Sequence, residues 1–197
     1  MELPVGEFIS QGLEKEVPQA ARTLLESNVK DEIKHDLALG FIVESHGADP
    51  IAEMEAIRLR DAWIQHPDHT ILKALVAERA IFFVLLPMFR FLGDAALRTV
   101  SADISRDEQI HVATNSLVCR ELGLVPSNSL DKLRKATISW VLQPLKTSPD
   151  KHLDKSFWLD ASDRLMYEGK APQFADTKAA RMPAFFEHAN TNLPQYA

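Results

Sequence analysis

Two pairs of residues are spaced to act together. Glu32 and His35, and Glu108 and His111, each stand three positions apart. On a helix such positions lie one above the other on the same face. One pair can give a carboxylate oxygen and an imidazole nitrogen to a single metal ion, and two pairs on facing helices can hold two ions. Lone glutamates would then bridge the ions and balance their charge. Glu78 is the best placed of these: Ala74, Leu75, Ile81 and Phe82 surround it at helical spacing, so it should face the interior. A buried carboxylate without a partner carries a large desolvation cost and takes up a proton instead. A metal ion removes that cost, and a salt bridge to Arg106 or Lys73 would too. An acid on the first helix is also needed, with Glu7 as the choice and Glu2 as the alternative. A single Glu-x-x-His reads as a solvated helix face. Two of them flanking a very apolar helix with one glutamate read as a site.

This is the donor set of ferritin-like two-metal carboxylate proteins, in which two helices give one Glu each and two others give Glu-x-x-His. The elements needed to position it are legible. Helical periodicity dominates and strand-like alternation is scarce. A short helix is expected over 5–14. A long one follows Pro18 and runs to about Ser45, with Leu24, Leu25, Val29, Ile33, Leu37 and Phe41 as its apolar stripe, and Gly47 stops it. A third covers 49–65, opened by Asp49-Pro50 as N-cap and first helical residue. The fourth, 70–92, is apolar nearly all round and therefore buried on all sides. Pro87 should kink it or loosen one turn. A fifth covers 95–122, closed by Gly123, and two more cover about 128–143 and 150–168. The expected fold is all-α: a ferritin-like helical bundle over 1–168 with additional C-terminal helices, then an extended tail over 169–197.

The 197 residues suit one domain, and 46% apolar content is ordinary for a globular protein. A formal charge of −6 argues against general nucleic-acid binding and against an anionic membrane surface. No signal peptide is seen, and the longest apolar run, Ala80 to Met88, is too short to span a bilayer. One cysteine, Cys119, allows no internal disulfide and fits a reducing, cytoplasmic compartment.

The residues also resemble a specific family. Glu78-Arg-Ala-Ile-Phe-Phe, followed by Ile104-Ser-Arg-Asp-Glu-Gln-Ile-His111, is similar to the small (beta) subunit of class I ribonucleotide reductase, which carries Ser-Arg-Asp-Glu-x-x-His with the last Glu and His as ligands. Asp31-Glu-Ile-Lys-His35 resembles the family's earlier Glu-x-x-His. Glu7-Phe-Ile-Ser-Gln-Gly12 is similar to the end of the helix carrying its first acidic ligand, and Ala184-Phe-Phe-Glu187 to a segment before its flexible terminus. The resemblance implies the metal ligands Glu7, Glu32, His35, Glu78, Glu108 and His111, holding two ions of iron and/or manganese. It implies that Asp107 accepts a hydrogen bond from a ligand histidine and that Phe82 lines a dry pocket beside the cluster. It implies a homodimer and a large (alpha) subunit as partner.

The departures are informative. The tyrosine that stores a radical in the family lies four residues after the first ligand histidine, where this chain has Leu39. Its two tyrosines, Tyr167 and Tyr196, lie outside the ligand helices. The family has tens of residues before its first ligand, including a radical-transfer tryptophan, and Trp63, Trp140 and Trp158 do not match it. Three functions are therefore open. One is a tyrosine-free reductase small subunit that generates or holds an oxidising equivalent in its metals for deoxyribonucleotide synthesis. The second is a stand-alone two-metal oxidase or oxygenase acting on a small apolar substrate near Leu39, Phe82 and Leu86. The third is a non-catalytic metal-binding partner of an intact subunit.

Overall fold

The computed structural model describes residues 3–15 and 17–174. The described chain is an all-α helical bundle. Its helices are α1 (Val5–Leu13), α2 (Gln19–His46), α3 (Pro50–Gln65), α4 (Thr70–Ala77), α5 (Phe83–Leu92), α6 (Ala95–Glu121), α7 (Asn128–Val141) and α8 (Lys155–Glu168). A π-helical turn, Glu78–Phe82, joins α4 to α5. Among the described residues no helix is long and apolar enough to cross a membrane.

Local chemistry sets most boundaries. Asp49, Asp94, Ser127 and Asp154 each stand just before a helix and accept a hydrogen bond from one of its first free N–H groups. Gly123 ends α6 with φ +64°, a conformation that would strain a side-chain-bearing residue, and it lets Leu124 N–H reach Cys119 O at 2.8 Å.

Four elements close a ring. α1 packs on α2, α2 on α6, α6 on α4 and α5, and α4 back on α1. All eight residues of α4 are buried, as its all-round apolar character requires. α7 and α8 cover the π turn from outside, and α3 touches the body mainly through α7. There Trp63 is wholly buried and donates to Thr137 Oγ1 at 2.9 Å.

Two expectations change. Of the expected stripe, Leu24, Ile33, Leu37 and Phe41 face outward, with Ile33, Leu37 and Phe41 all more than 60% exposed, while Leu25 is buried and Val29 packs partly against the core. The inward face of α2 is instead Ala21, Leu25, Asn28, Glu32 and His35. The reason is competition for the interior: the side that carries Glu32 and His35 must face the bundle, and the apolar side is then turned away. The second concerns where the loosening expected at Pro87 falls. Pro87 lies inside α5, where its missing N–H forfeits only the bond back to Phe83, the first residue of that helix. The loosened turn lies before it, with Phe83 N–H bonded to Glu78 O, five residues back.

α8 holds that turn in place. Ser162 Oγ donates to Ala80 O at 2.6 Å, and Arg134 donates to Ser162 Oγ at 2.6 Å. Arg134 is itself fully buried and pairs with Asp131 and Asp163. Arg79 donates to Leu165 O at 2.7 Å. The start of the C-terminal tail is also docked: Phe174 packs on Phe157 and Trp158. The Phe-Phe-Glu segment at 185–187 and Tyr196 lie outside the described residues. Arg134→Ala should cost about 3 kcal/mol, because it strands a carboxylate pair and a buried hydroxyl that hold the π turn. Urea unfolding checks this, and a loss under about 0.5 kcal/mol would show the network to be idle.

Candidate metal centre

The bundle interior holds an unusual density of charge. Glu78 and Glu108 are fully buried, and His111, Glu32 and His35 nearly so. Donor atoms of Glu32, Glu78, Glu108 and His111 all lie within 4.8 Å of one another, and this buried group could hold a metal ion. Donors bound about 2.1 Å from one ion at right angles stand about 3 Å apart, so the observed spread is that of a slightly relaxed coordination sphere.

Three walls supply these residues. α2 gives Glu32 and His35, the π turn gives Glu78, and α6 gives Glu108 and His111. His111 Nδ1 stands 3.0 Å from Glu32 Oε1, 3.7 Å from Glu108 Oε2 and 3.8 Å from Glu78 Oε1. His35 Nδ1 stands 3.4 Å from Glu108 Oε1 and 3.7 Å from Glu32 Oε1. The Glu32–His111 approach is close but poorly aligned, and both atoms remain without a hydrogen bond. Glu78 Oε1, both Glu108 oxygens and His35 Nδ1 share that state. Buried polar atoms are ordinarily paired, so a group of orphans aimed at one point needs an absent partner. A cation fits this donor set.

The outward nitrogens are matched across the bundle. His35 Nε2, on α2, meets Asp107 Oδ2, on α6, at 3.1 Å. His111 Nε2, on α6, faces Asp31 Oδ2, on α2, at 3.7 Å. Each helix thus carries Asp-Glu-x-x-His, and the aspartate of one addresses the histidine of the other. At 3.1 Å Asp107 can keep a proton on His35 Nε2 and leave its Nδ1 lone pair facing inward, whereas His111 Nε2 faces Asp31 without a hydrogen bond. Asp107 is placed as the sequence reading expected. Asp31 was missed, although the twofold recurrence of Asp-Glu-x-x-His was available to reveal it. Asn115, one turn beyond His111, was missed as well. Its Nδ2 donates to Glu78 Oε2 at 2.8 Å, which leaves Oε1 to face the cluster.

Other candidates fall elsewhere. Glu7 is exposed on α1 and is not among the converging donors. The helix presents Gly6 to this wall instead: a Cβ there would stand 3.1 Å from Glu32 Cβ, so the inward register belongs to residue 6 and not 7. Glu2 lies outside the described residues. The two alternative salt-bridge partners of Glu78 are otherwise engaged. Lys73 Nζ donates to the carbonyls of Trp63, Ile64 and His66, capping the end of α3, and Arg106 is exposed beside Asp103. Burial, then the nearby Glu78 carboxylate, push the Cys119 thiol up to about 12, so it is no nucleophile at neutral pH. Beside the ligands lies a cavity of about 70 Å³, walled by Leu39, Phe82, Leu85, Leu86, Phe89 and Ile104 and floored by Glu32, His35 and Glu108.

The electrostatics favour protons in the metal-free state. Burial, reinforced by Glu108 and Glu32, pushes Glu78 well above the usual carboxylate range. Burial raises Glu108 too. Burial alone would lower His35, but Glu108, Glu32 and Asp107 outweigh it and hold the imidazole at about 10. His111 is raised by Glu32 and Glu108, again against burial. Groups with raised folded values favour folding fully below their unfolded values, near 4.5 for Glu and 6.5 for His, and lose that contribution as pH rises through the folded ones. A metal must displace these protons.

Three outcomes follow. Metal content should collapse in both Glu78→Ala and His111→Ala, by elemental analysis, and unchanged content in both would sink the assignment. Calorimetry in buffers of different ionisation enthalpy should show protons released on metal binding, with affinity rising from pH 6 to 8. Glu78→Gln should stabilise the metal-free protein by about 1 kcal/mol while weakening metal binding, since it removes an acid that must take up a proton to be buried and that a metal would need ionised.

No protein-family model, curated protein or solved structure matches this chain, so the reading of the cluster rests on its own geometry.

Proposed function

We propose that the chain is a two-metal carboxylate oxidoreductase that holds an oxidising equivalent in iron and/or manganese, in the manner of a ribonucleoside-diphosphate reductase small subunit that lacks the radical tyrosine. The carrying observation is Glu108, whose two oxygens divide between the two histidines, Oε1 towards His35 and Oε2 towards His111. A carboxylate so placed could be shared between two ions, and Glu32, whose Oε1 lies within 3.7 Å of both Nδ1 atoms, would help hold them. Bound there, the pair of ions would supply the redox chemistry with an oxygen species. The chain's own residues orient the imidazoles through Asp31 and Asp107, fix Glu78 through Asn115, and exclude water with Leu39, Phe82 and Phe89.

Magnitude weighs against an oxygenase acting on a large substrate. A site for a drug-sized molecule takes about 300–1,000 Å³. The cavity beside the ligands offers about 70 Å³, well below that range. Leu39 lines it where the family stores its radical. The oxidase alternative draws on that same leucine, which widens the apolar wall, and the non-catalytic alternative on the absence of Glu7 from the ligand set. The outward apolar stripe of α2 is the kind of surface that a second copy would cover to form a homodimer. The reading places the protein in the cytoplasm with a reductase large (alpha) subunit as partner.

The reconstituted protein should bind two ions per chain, consume dioxygen without forming a tyrosyl radical signal, and support deoxyribonucleotide formation when mixed with a large subunit. Oxidation of a small apolar compound without that support would favour the oxidase. Fewer than two bound ions and no oxygen consumption would favour the non-catalytic role.

A further inference from the structure

We infer that the groove between α1, α2 and α3 is the route by which divalent cations reach the cluster, with Glu32 at its inner end. This rests on the metal-centre reading above. The groove encloses about 730 Å³ and is lined by one face each of α1 and α2 and by Arg60 and Ile64 of α3. Four acidic side chains, Glu7, Glu14, Glu32 and Asp36, face it against the single arginine, which is also drawn towards Asp61 at 3.5 Å. Acidic side chains alone would signify a solvated surface. Two further observations give them a destination. Glu32 is the residue that the groove and the apolar cavity have in common. Its Oε1 is buried, lacks a hydrogen bond and belongs to the group able to hold a metal.

Gly6 keeps that inner end open. A side chain there would press on Glu32, whose Cβ would be 3.1 Å from the new atom. The opposite approach runs between Leu39, Leu85, Leu86, Phe89 and Ile104. A hydrated dication would lose its water against those walls with nothing in exchange. The two sides of Glu32 therefore divide the traffic: cations arrive through the acidic groove, and small uncharged molecules occupy the apolar cavity. Glu7, which is no ligand, gains a role as part of the funnel.

Stopped-flow uptake of Mn²⁺ by the metal-free full chain tests this. A Glu7→Gln, Asp36→Asn double variant should load about 3- to 10-fold more slowly near 0.01 M ionic strength. The difference should shrink near 0.15 M, where screening is stronger. Final metal content should match wild type, and Leu39→Phe, which narrows the apolar cavity, should load at the wild-type rate. Equal rates for the double variant would overturn the route, as would slowing by Leu39→Phe instead. Reduced final content in the double variant would overturn it too, by making these residues ligands. Failure of the wild-type chain to take up metal would instead remove the metal centre itself.

Discussion

Everything in this bundle answers to the cost of putting three glutamates into one dry space. Glu32, Glu78 and Glu108 have donor atoms within 4.8 Å of one another and of His111. Carboxylates at such separations cannot all remain ionised without a counter-charge. The protein supplies two imidazoles, drawn towards their charged forms by the same carboxylates. It also supplies one amide, Asn115. That is too little for the orphaned oxygens that remain, and the group could be completed by a cation. In the absence of one it retains protons. The cluster is a destabilising feature of the metal-free fold, tolerated because the surrounding helices determine its geometry.

That determination comes from outside the ligand helices. A regular α-helix from Thr70 to Leu92 would carry Glu78 in a different register relative to the residues after it. The π turn inserts the extra residue, and its carbonyls then need new partners. Ser162, itself held by Arg134, donates to Ala80 O, and Arg79 ties the turn to Leu165 O. The C-terminal helices thus act on the metal centre without touching it. They hold the backbone that aims Glu78.

The outward apolar face of α2 is the second consequence. An amphipathic helix normally turns its apolar side to the core. Here the ligands claim the core, and Ile33, Leu37 and Phe41 are displaced to the surface. A bundle organised around buried carboxylates has less apolar surface to bury internally and more to offer a partner. The cavity beside the cluster, at about 70 Å³, is small beside the sites that hold drug-sized molecules.

Much of this was determined by the sequence alone. Helix existence and ends follow from local chemistry, because caps such as Asp49 and stops such as Gly123 act within one turn. The convergence of Glu32, His35, Glu78, Glu108 and His111 is legible because spacing of three fixes a shared face and because Glu78 is surrounded by apolar neighbours. The reciprocal Asp31–His111 and Asp107–His35 pairing was present as a recurring Asp-Glu-x-x-His, yet its crossed connection needs two helices set face to face. Three features were decided only by tertiary structure. Glu7 points outward because α1 meets α2 through Gly6, a matter of helix rotation that periodicity in nine residues does not fix. The π turn falls at Glu78 rather than at Pro87 because α8 offers partners for its carbonyls there. Most of the stripe on α2 faces outward because Glu32 and His35 turn inward to meet charged groups more than 70 positions away, which outweighs the local pattern of apolar side chains.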